Sequence, residues 1–215
     1  MNQTPDTPQI HAYIQSLFAR EDETLRRVRE ESAAQGLPQI AVGPEEGAFL
    51  HLLVRLSGAR RVLEIGTLAG YSAIWMGRAL PEDGHLYTIE KSPRHAAVAR
   101  RNFQLAGVEQ RVTLLEGDAV AMLKQAARHA PFDFVFIDAD KEGYPRYYAW
   151  ALEHIPAGGV VAAHNALWGG SVARQDLHGP AIDAVRDFNR MVADDPRVTA
   201  HIYPAGDGTL VAVKK

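Results

Sequence analysis

The sequence predicts an α/β fold: a mostly parallel seven-stranded sheet with helices on both faces, a last strand running antiparallel, and extra helices at the N-terminus. Three observations predict it. From Arg61 onward, short β-rich runs alternate with amphipathic segments, the pattern of a parallel sheet wrapped by helices. The runs are almost continuously apolar, as strands buried on both sides require. The last two runs flank Ala205-Gly206-Asp207-Gly208, a turn-rich tetrapeptide that predicts a hairpin.

The elements follow in order. Ile10, Tyr13, Ile14, Leu17 and Phe18 recur at helical spacing and give way to the charged stretch REDETLRRVREES, so residues 10 to about 35 read as a helical segment with a solvated face. In GPEEGAFLHLLVRLSG, Pro44 and the glutamates suit a helix start and Gly58 a stop. Strands are predicted at 61–66, 85–90, 112–117, 133–138 and 159–164, with helices starting near Tyr71, Ser92, Ala119 and Tyr144. PAIDAVRDFNRMVAD is a further helix, and VTAHIYP and TLVAVKK are the final strands. The organisation expected is one domain over 1–215, with a helical segment at 1–58 and the α/β core at 59–215.

Composition narrows the function classes. A chain of 215 residues can bury roughly 70% of its unfolded surface without disulfide staples. It has no cysteine, which excludes thiolate zinc sites and a cysteine nucleophile and suits a reducing cytoplasm. The start MNQTPDTPQ lacks a basic-then-apolar signal pattern, and no run approaches the ~20 apolar residues of a membrane span, so a cytoplasmic protein without a membrane partner is expected. With 23 basic against 26 acidic residues there is no net positive field for nucleic acid.

Three consecutive strand ends carry polar groups. The first runs into Glu64-Ile-Gly66-Thr67-Leu-Ala-Gly70-Tyr-Ser72, where glycines permit a sharp turn and close approach to a ligand; the alternative is a tight turn that binds nothing. Glu90 ends the second strand about 20 residues beyond Gly70, where Rossmann-like folds place an acid on ribose hydroxyls. Asp118 follows the third strand in Glu116-Gly117-Asp118-Ala119, and it is also a good helix cap. All three belong on the carboxyl edge of the sheet, where open α/β sheets bind ligands, so a nucleoside-containing cofactor is expected. The dinucleotide loop requires G-x-G-x-x-G, and this turn offers only one glycine at each end, Gly66 and Gly70, with Thr67 after the first, which disfavours a pyrophosphate.

With those strand ends, F134-V-F-I-D138-A-D140-K141-x-x-Y144 and N165-x-L167-W168-x-G170 make the chain resemble the class I S-adenosylmethionine-dependent methyltransferases. Within them it resembles the small cation-dependent O-methyltransferases of the catechol and caffeoyl-coenzyme A type. The likeness runs from about Val42 to the C-terminus and includes Gly206-Asp207-Gly208. It implies a Rossmann-like sheet, with Glu90 on the ribose and Asp118 and Ala119 beside the adenine. The turn from Gly66 through Thr67 and Gly70 to Ser72 would surround the methionine portion, with Val42, Glu64 and Asp138 as further cofactor contacts. It implies Asp138 and the pair His164-Asn165 as ligands of a divalent metal, Lys141 as general base, Trp168 and Tyr144 against a small phenolic or catechol-like substrate, and a homodimer.

The chain departs from the family at the end of its fifth strand, where the family has Asp-Asn and this sequence has His164-Asn165. Imidazole in place of a carboxylate disfavours Mg²⁺ and Ca²⁺ and suits Mn²⁺, Fe²⁺ or Zn²⁺. The rival expectation is that the metal is lost and His164 is itself the catalytic base, with Lys141 electrostatic. Two other classes stay open: a nicotinamide-dependent oxidoreductase, and a non-catalytic protein that binds S-adenosylmethionine or S-adenosylhomocysteine. His51, His95 and His154 fall in expected helices and read as structural or exposed, and residues 167–180 read as a mobile loop over the site.

Overall fold

A computed structural model describes residues 8–215. The reading of the polar start at 1–7 lies outside the described residues. The helical segment expected from Ile10 to Gln35 is divided into α1 (Pro8–Leu17) and α2 (Glu23–Ala34). Asp22 causes the restart: its carboxylate accepts the Leu25 N–H at 2.9 Å and caps α2. Helix α3 (Pro44–Leu56) opens with Pro44 in its first turn, Glu46 accepting the Gly43 N–H at 2.9 Å, and Gly58 at φ +63° follows its end.

The core alternates as the apolar runs require: β1 (Arg61–Ile65), α4 (Tyr71–Ala79), β2 (His85–Glu90), α5 (Pro93–Leu105), β3 (Val112–Glu116), α6 (Ala119–Ala126), β4 (Phe134–Ile137), α7 (Tyr144–His154) and β5 (Val160–Ala163). Helix α8 (Pro180–Ala193) and the hairpin of β6 (Val198–Tyr203) and β7 (Thr209–Lys214) complete it. The sheet order is β3-β2-β1-β4-β5-β7-β6, with β1 to β5 parallel and β7 antiparallel to both its neighbours. Strand alternation sorts side chains into two layers. Leu63, Ile65, Val135 and Ile137 pack with α6, α7 and α8, whereas Val62, Phe134 and Phe136 pack with α2 to α5. Each fully buried Leu, Ile or Phe contributes about 1.5–3 kcal/mol, so both faces are anchored. No described helix is long and apolar enough to cross a membrane.

Register places the chemistry. Ile65 pairs with Ile137, and Ile137 with Ala163, so β1, β4 and β5 end level. The ladder continues one residue further, with Asp138 N–H donating to Ile65 at 2.8 Å and His164 N–H to Ile137 at 3.0 Å. The residues after the three central strands therefore share one edge.

Candidate active site

A cavity of about 960 Å³ runs along that edge. Val42, Gly66, Thr67, Ser72, Glu90, Asp118, Ala119 and Asp138 line it, as do Lys141, Asn165 and Trp168. Glu90 is fixed by the turn it faces: its carboxylate accepts the N–H groups of Leu68 and Ser92, both at 2.8 Å, and of Thr67 at 3.3 Å. Asp118 caps α6 through the Val120 N–H at 3.0 Å and borders the cavity. His95, expected to be structural or exposed, also lines the cavity, with Nδ1 3.5 Å from Glu90.

Two expected cofactor contacts lie behind the wall. Gly70 adopts φ +85° as the cap of α4, and a Cβ there would collide with the Phe103 ring. Glu64 is fully buried, accepting from Ser72 Oγ and Thr88 Oγ1 at 2.5 Å each; it fixes Ser72 and stays out of the cavity. Burial pushes the Glu64 carboxyl from 4.5 up to about 8 despite those two donors. The folded chain therefore keeps a proton that the unfolded chain has released. The associated stability is full below about pH 4.5 and is lost as pH rises toward about 8. Glu64→Gln removes this proton linkage, so between pH 5 and 8 wild type should lose roughly a few kcal/mol more than the variant in urea unfolding. Parallel stability curves would refute it.

Beyond β4 and β5 the cavity edge carries a chain of charged groups. Lys141 follows Asp140 in a short 3₁₀ turn, is 9% exposed, and places Nζ 3.4 Å from Asp138 Oδ1 and 2.5 Å from Tyr144 Oη. Tyr144, expected against substrate, is 1% exposed; its hydroxyl donates to the His164 carbonyl at 3.1 Å and supports Lys141 from below. Burial lowers the Lys141 amine and prevails over the opposing pull of Asp138. Trp168, at φ +47°, holds its ring 5.9 Å from Lys141 Nζ on the cavity side.

His164 is 5% exposed, with Nε2 2.6 Å from Glu46 Oε1 and Nδ1 3.4 Å from Asp138 Oδ1. Burial alone would lower the imidazole, but its contacts with Asp138 and Glu46 push it up to about 10. Burial would raise Asp138 and Glu46, and His164 holds both below their usual values. Asn165, at φ +56°, donates Nδ2 to Asp207 at 2.7 Å, which turns its carbonyl oxygen the other way.

The structure thus brings together Asp138, Lys141, His164, Asn165 and Trp168. It adds two residues expected only at a helix start and in a hairpin turn, Glu46 and Asp207. Asp207 also accepts the Gly169 N–H and ties the β6–β7 turn to the loop after β5. Arg186 of α8 reaches that loop and donates to the carbonyls of Ser171 at 2.8 Å and Leu177 at 2.7 Å.

A model of the O-methyltransferase family matches residues 15–215. A catechol O-methyltransferase of Niastella koreensis is 42% identical over 195 residues, covering 90% of this chain and 88% of that one. A catechol O-methyltransferase of Mycobacterium tuberculosis is 40% identical over 200 residues, covering 93% and 90%. The crystal structure of an O-methyltransferase from Bacillus cereus in complex with SAH superposes with a TM-score of 0.90 at 38% identity, covering 96% of this chain and 97% of that one. A cavity at the carboxyl edge of a doubly wound sheet, lined by Glu90 and Asp118 on one side and by a buried lysine on the other, agrees with these likenesses. The chain belongs to the O-methyltransferase family and is a class I S-adenosylmethionine-dependent O-methyltransferase.

Proposed function

We propose that this enzyme methylates a hydroxyl of a small catechol-like or phenolic acceptor, with Lys141 as general base and a divalent ion held by Asp138, His164 and Asn165. The observation that carries the reading is the Lys141 amine, buried at the cavity between Asp138 and Tyr144 beneath the Trp168 ring. A buried amine whose proton affinity is lowered by burial can accept a phenolic proton there. Two relatives named catechol O-methyltransferase support the acceptor class.

S-adenosylmethionine supplies an electrophilic methyl group on a sulfonium. Glu90 would take its ribose hydroxyls, Asp118 and Ala119 its adenine, and Gly66, Thr67, Ser72 and Val42 its methionine end. The acidic edge suits a cationic sulfur and needs no phosphate loop. The donor set also fits an ion. His164 Nδ1 is buried without a hydrogen bond. It lies 3.4 Å from Asp138 Oδ1, and two ligands of one first-row ion, each at about 2.1 Å, sit roughly 3.0–3.4 Å apart. A cation there would lower the pKa of a hydroxyl bound to it. Homodimerisation belongs to the same proposal, since Phe18, Leu52 and Leu56 remain exposed on and beside α1 and α3.

The test is transfer of a labelled methyl group from S-adenosylmethionine to catechols and monophenols, run beside an NADH oxidation assay. Labelled aryl methyl ether without NADH turnover is expected. Hydride transfer, or no label on any phenol, would refute the reading.

A further inference from the structure

Glu46 belongs to α3, 118 residues from His164 in sequence, yet its Oε1 takes Nε2 of the imidazole at 2.6 Å. The carboxylate is itself fixed from two sides. Oε2 accepts the Gly43 N–H at 2.9 Å, Oε1 accepts the Asp207 N–H at 3.4 Å, and Gly206 backs so closely that any Cβ there would strike the carboxylate. A carboxylate accepts hydrogen bonds only, so Nε2 carries hydrogen, and this ring orientation leaves Nδ1 facing Asp138 Oδ1 at 3.4 Å, where a bound ion would take the place of the Nδ1 proton. We propose that Glu46 is a positioning residue for the divalent ion: it holds Nε2 and so sets the ring orientation that aims Nδ1 of His164 at the gap beside Asp138. The site is thereby committed to an ion that accepts nitrogen, Mn²⁺ or a later first-row metal, over Mg²⁺.

The inference rests on the metal assignment proposed above and extends it. A histidine ligand needs a partner for its second nitrogen, because an unpartnered ring rotates and loses basicity; loss of such a partner costs 10- to 100-fold in metal affinity. Asp207 stands in the same relation to Asn165, holding its amide nitrogen so that the oxygen end is free. Hard Mg²⁺ gains little from imidazole and keeps its waters, whereas Mn²⁺ and its successors take nitrogen well.

The experiment is calorimetric titration of the metal-stripped, full-length chain with Mn²⁺ and Mg²⁺, with free Mn²⁺ also followed by its paramagnetic resonance signal. Wild type should bind Mn²⁺ at least about tenfold more tightly than Mg²⁺. Glu46→Ala should lose roughly 10- to 100-fold in Mn²⁺ affinity. Glu46→Gln keeps an oxygen acceptor, so its loss should be smaller and measurable; it carries the test if the alanine variant does not fold. His164→Asp should gain Mg²⁺ affinity. A purely structural role for Glu46 would leave the Mn²⁺ to Mg²⁺ ratio unchanged, and S-adenosylhomocysteine affinity monitors the fold of each variant. Ion binding without preference, or Glu46 variants equal to wild type, overturns this inference alone. Binding of neither ion overturns the metal assignment with it and leaves His164 as a fixed imidazolium between two carboxylates. Failure to find a phenolic acceptor touches neither titration.

Discussion

Lys141→Met is expected to lower kcat for methyl transfer by roughly 10²- to 10⁴-fold, the range for loss of a positioned general base. Methionine keeps the stem that fills this 9% exposed site, so the change removes the amine and little packing. S-adenosylhomocysteine affinity should stay within about threefold, because Lys141 sits at the reacting end and Glu90 and Asp118 remain in place. Lys141→Arg separates two roles. Arginine keeps the positive charge beside Asp138 but cannot give up its proton in a protein, so it serves as an electrostatic group and not as a base. Single-turnover rates with a catechol acceptor decide the matter. An arginine variant above about a tenth of wild-type rate would make Lys141 electrostatic and return the base role to His164.

Those predictions use residues that the sequence exposes readily, and the reason is local. A strand buried on both faces is an apolar run, and the polar residue that ends it stands out; Glu90, Asp138 and His164 are of this kind, and Asp118 follows two residues after the edge strand β3. Parallel pairing then needs no further information to bring them together, since level strand ends put them on one edge. The helical segment at the N-terminus fails this test. Its charged spacing continues through residues 18–22 without a Pro or Gly, and only the Asp22 side chain, turned onto Leu25, reveals the break.

Glu46 and Asp207 were hidden for another reason. Glu46 has a sufficient local explanation as the acceptor for Gly43 at the start of α3, so nothing in its neighbourhood asks for a second partner. Its second partner lies across the molecule, and only the fold supplies it. One signal was present: a histidine with an apolar run before it and a buried ring needs an acceptor for at least one nitrogen, and an acid in an early helix was a candidate. Tyr144 and Glu64 show the converse. Each lies in a stretch that resembles the family, yet each acts through a neighbour, Tyr144 on Lys141 and Glu64 on Ser72.

Gly66→Ala is expected to cost several kcal/mol in stability and at least tenfold in S-adenosylhomocysteine affinity. Gly66 has φ +99°, which L side chains rarely adopt, and its N–H continues the ladder to Ile89 at 3.0 Å, so the strand cannot turn away cheaply. A Cβ would land against the Asp138 carbonyl oxygen and 2.7 Å from its carbonyl carbon. The obstacle is backbone, which has no rotamer to change. Relief requires β1 and β4 to separate at their carboxyl ends, and that displaces Asp138, the turn up to Ser72 and the lysine three residues after Asp138. Gly58→Ala is the control: its φ is +63° with nothing within 4 Å of a Cβ, so it should cost only about 1–2 kcal/mol of left-handed strain and leave cofactor binding intact. Urea unfolding and cofactor titration of both variants separate collision from strain. If Gly66→Ala matches Gly58→Ala in stability and matches wild type in affinity, the close approach of the two strand ends is not what positions the site.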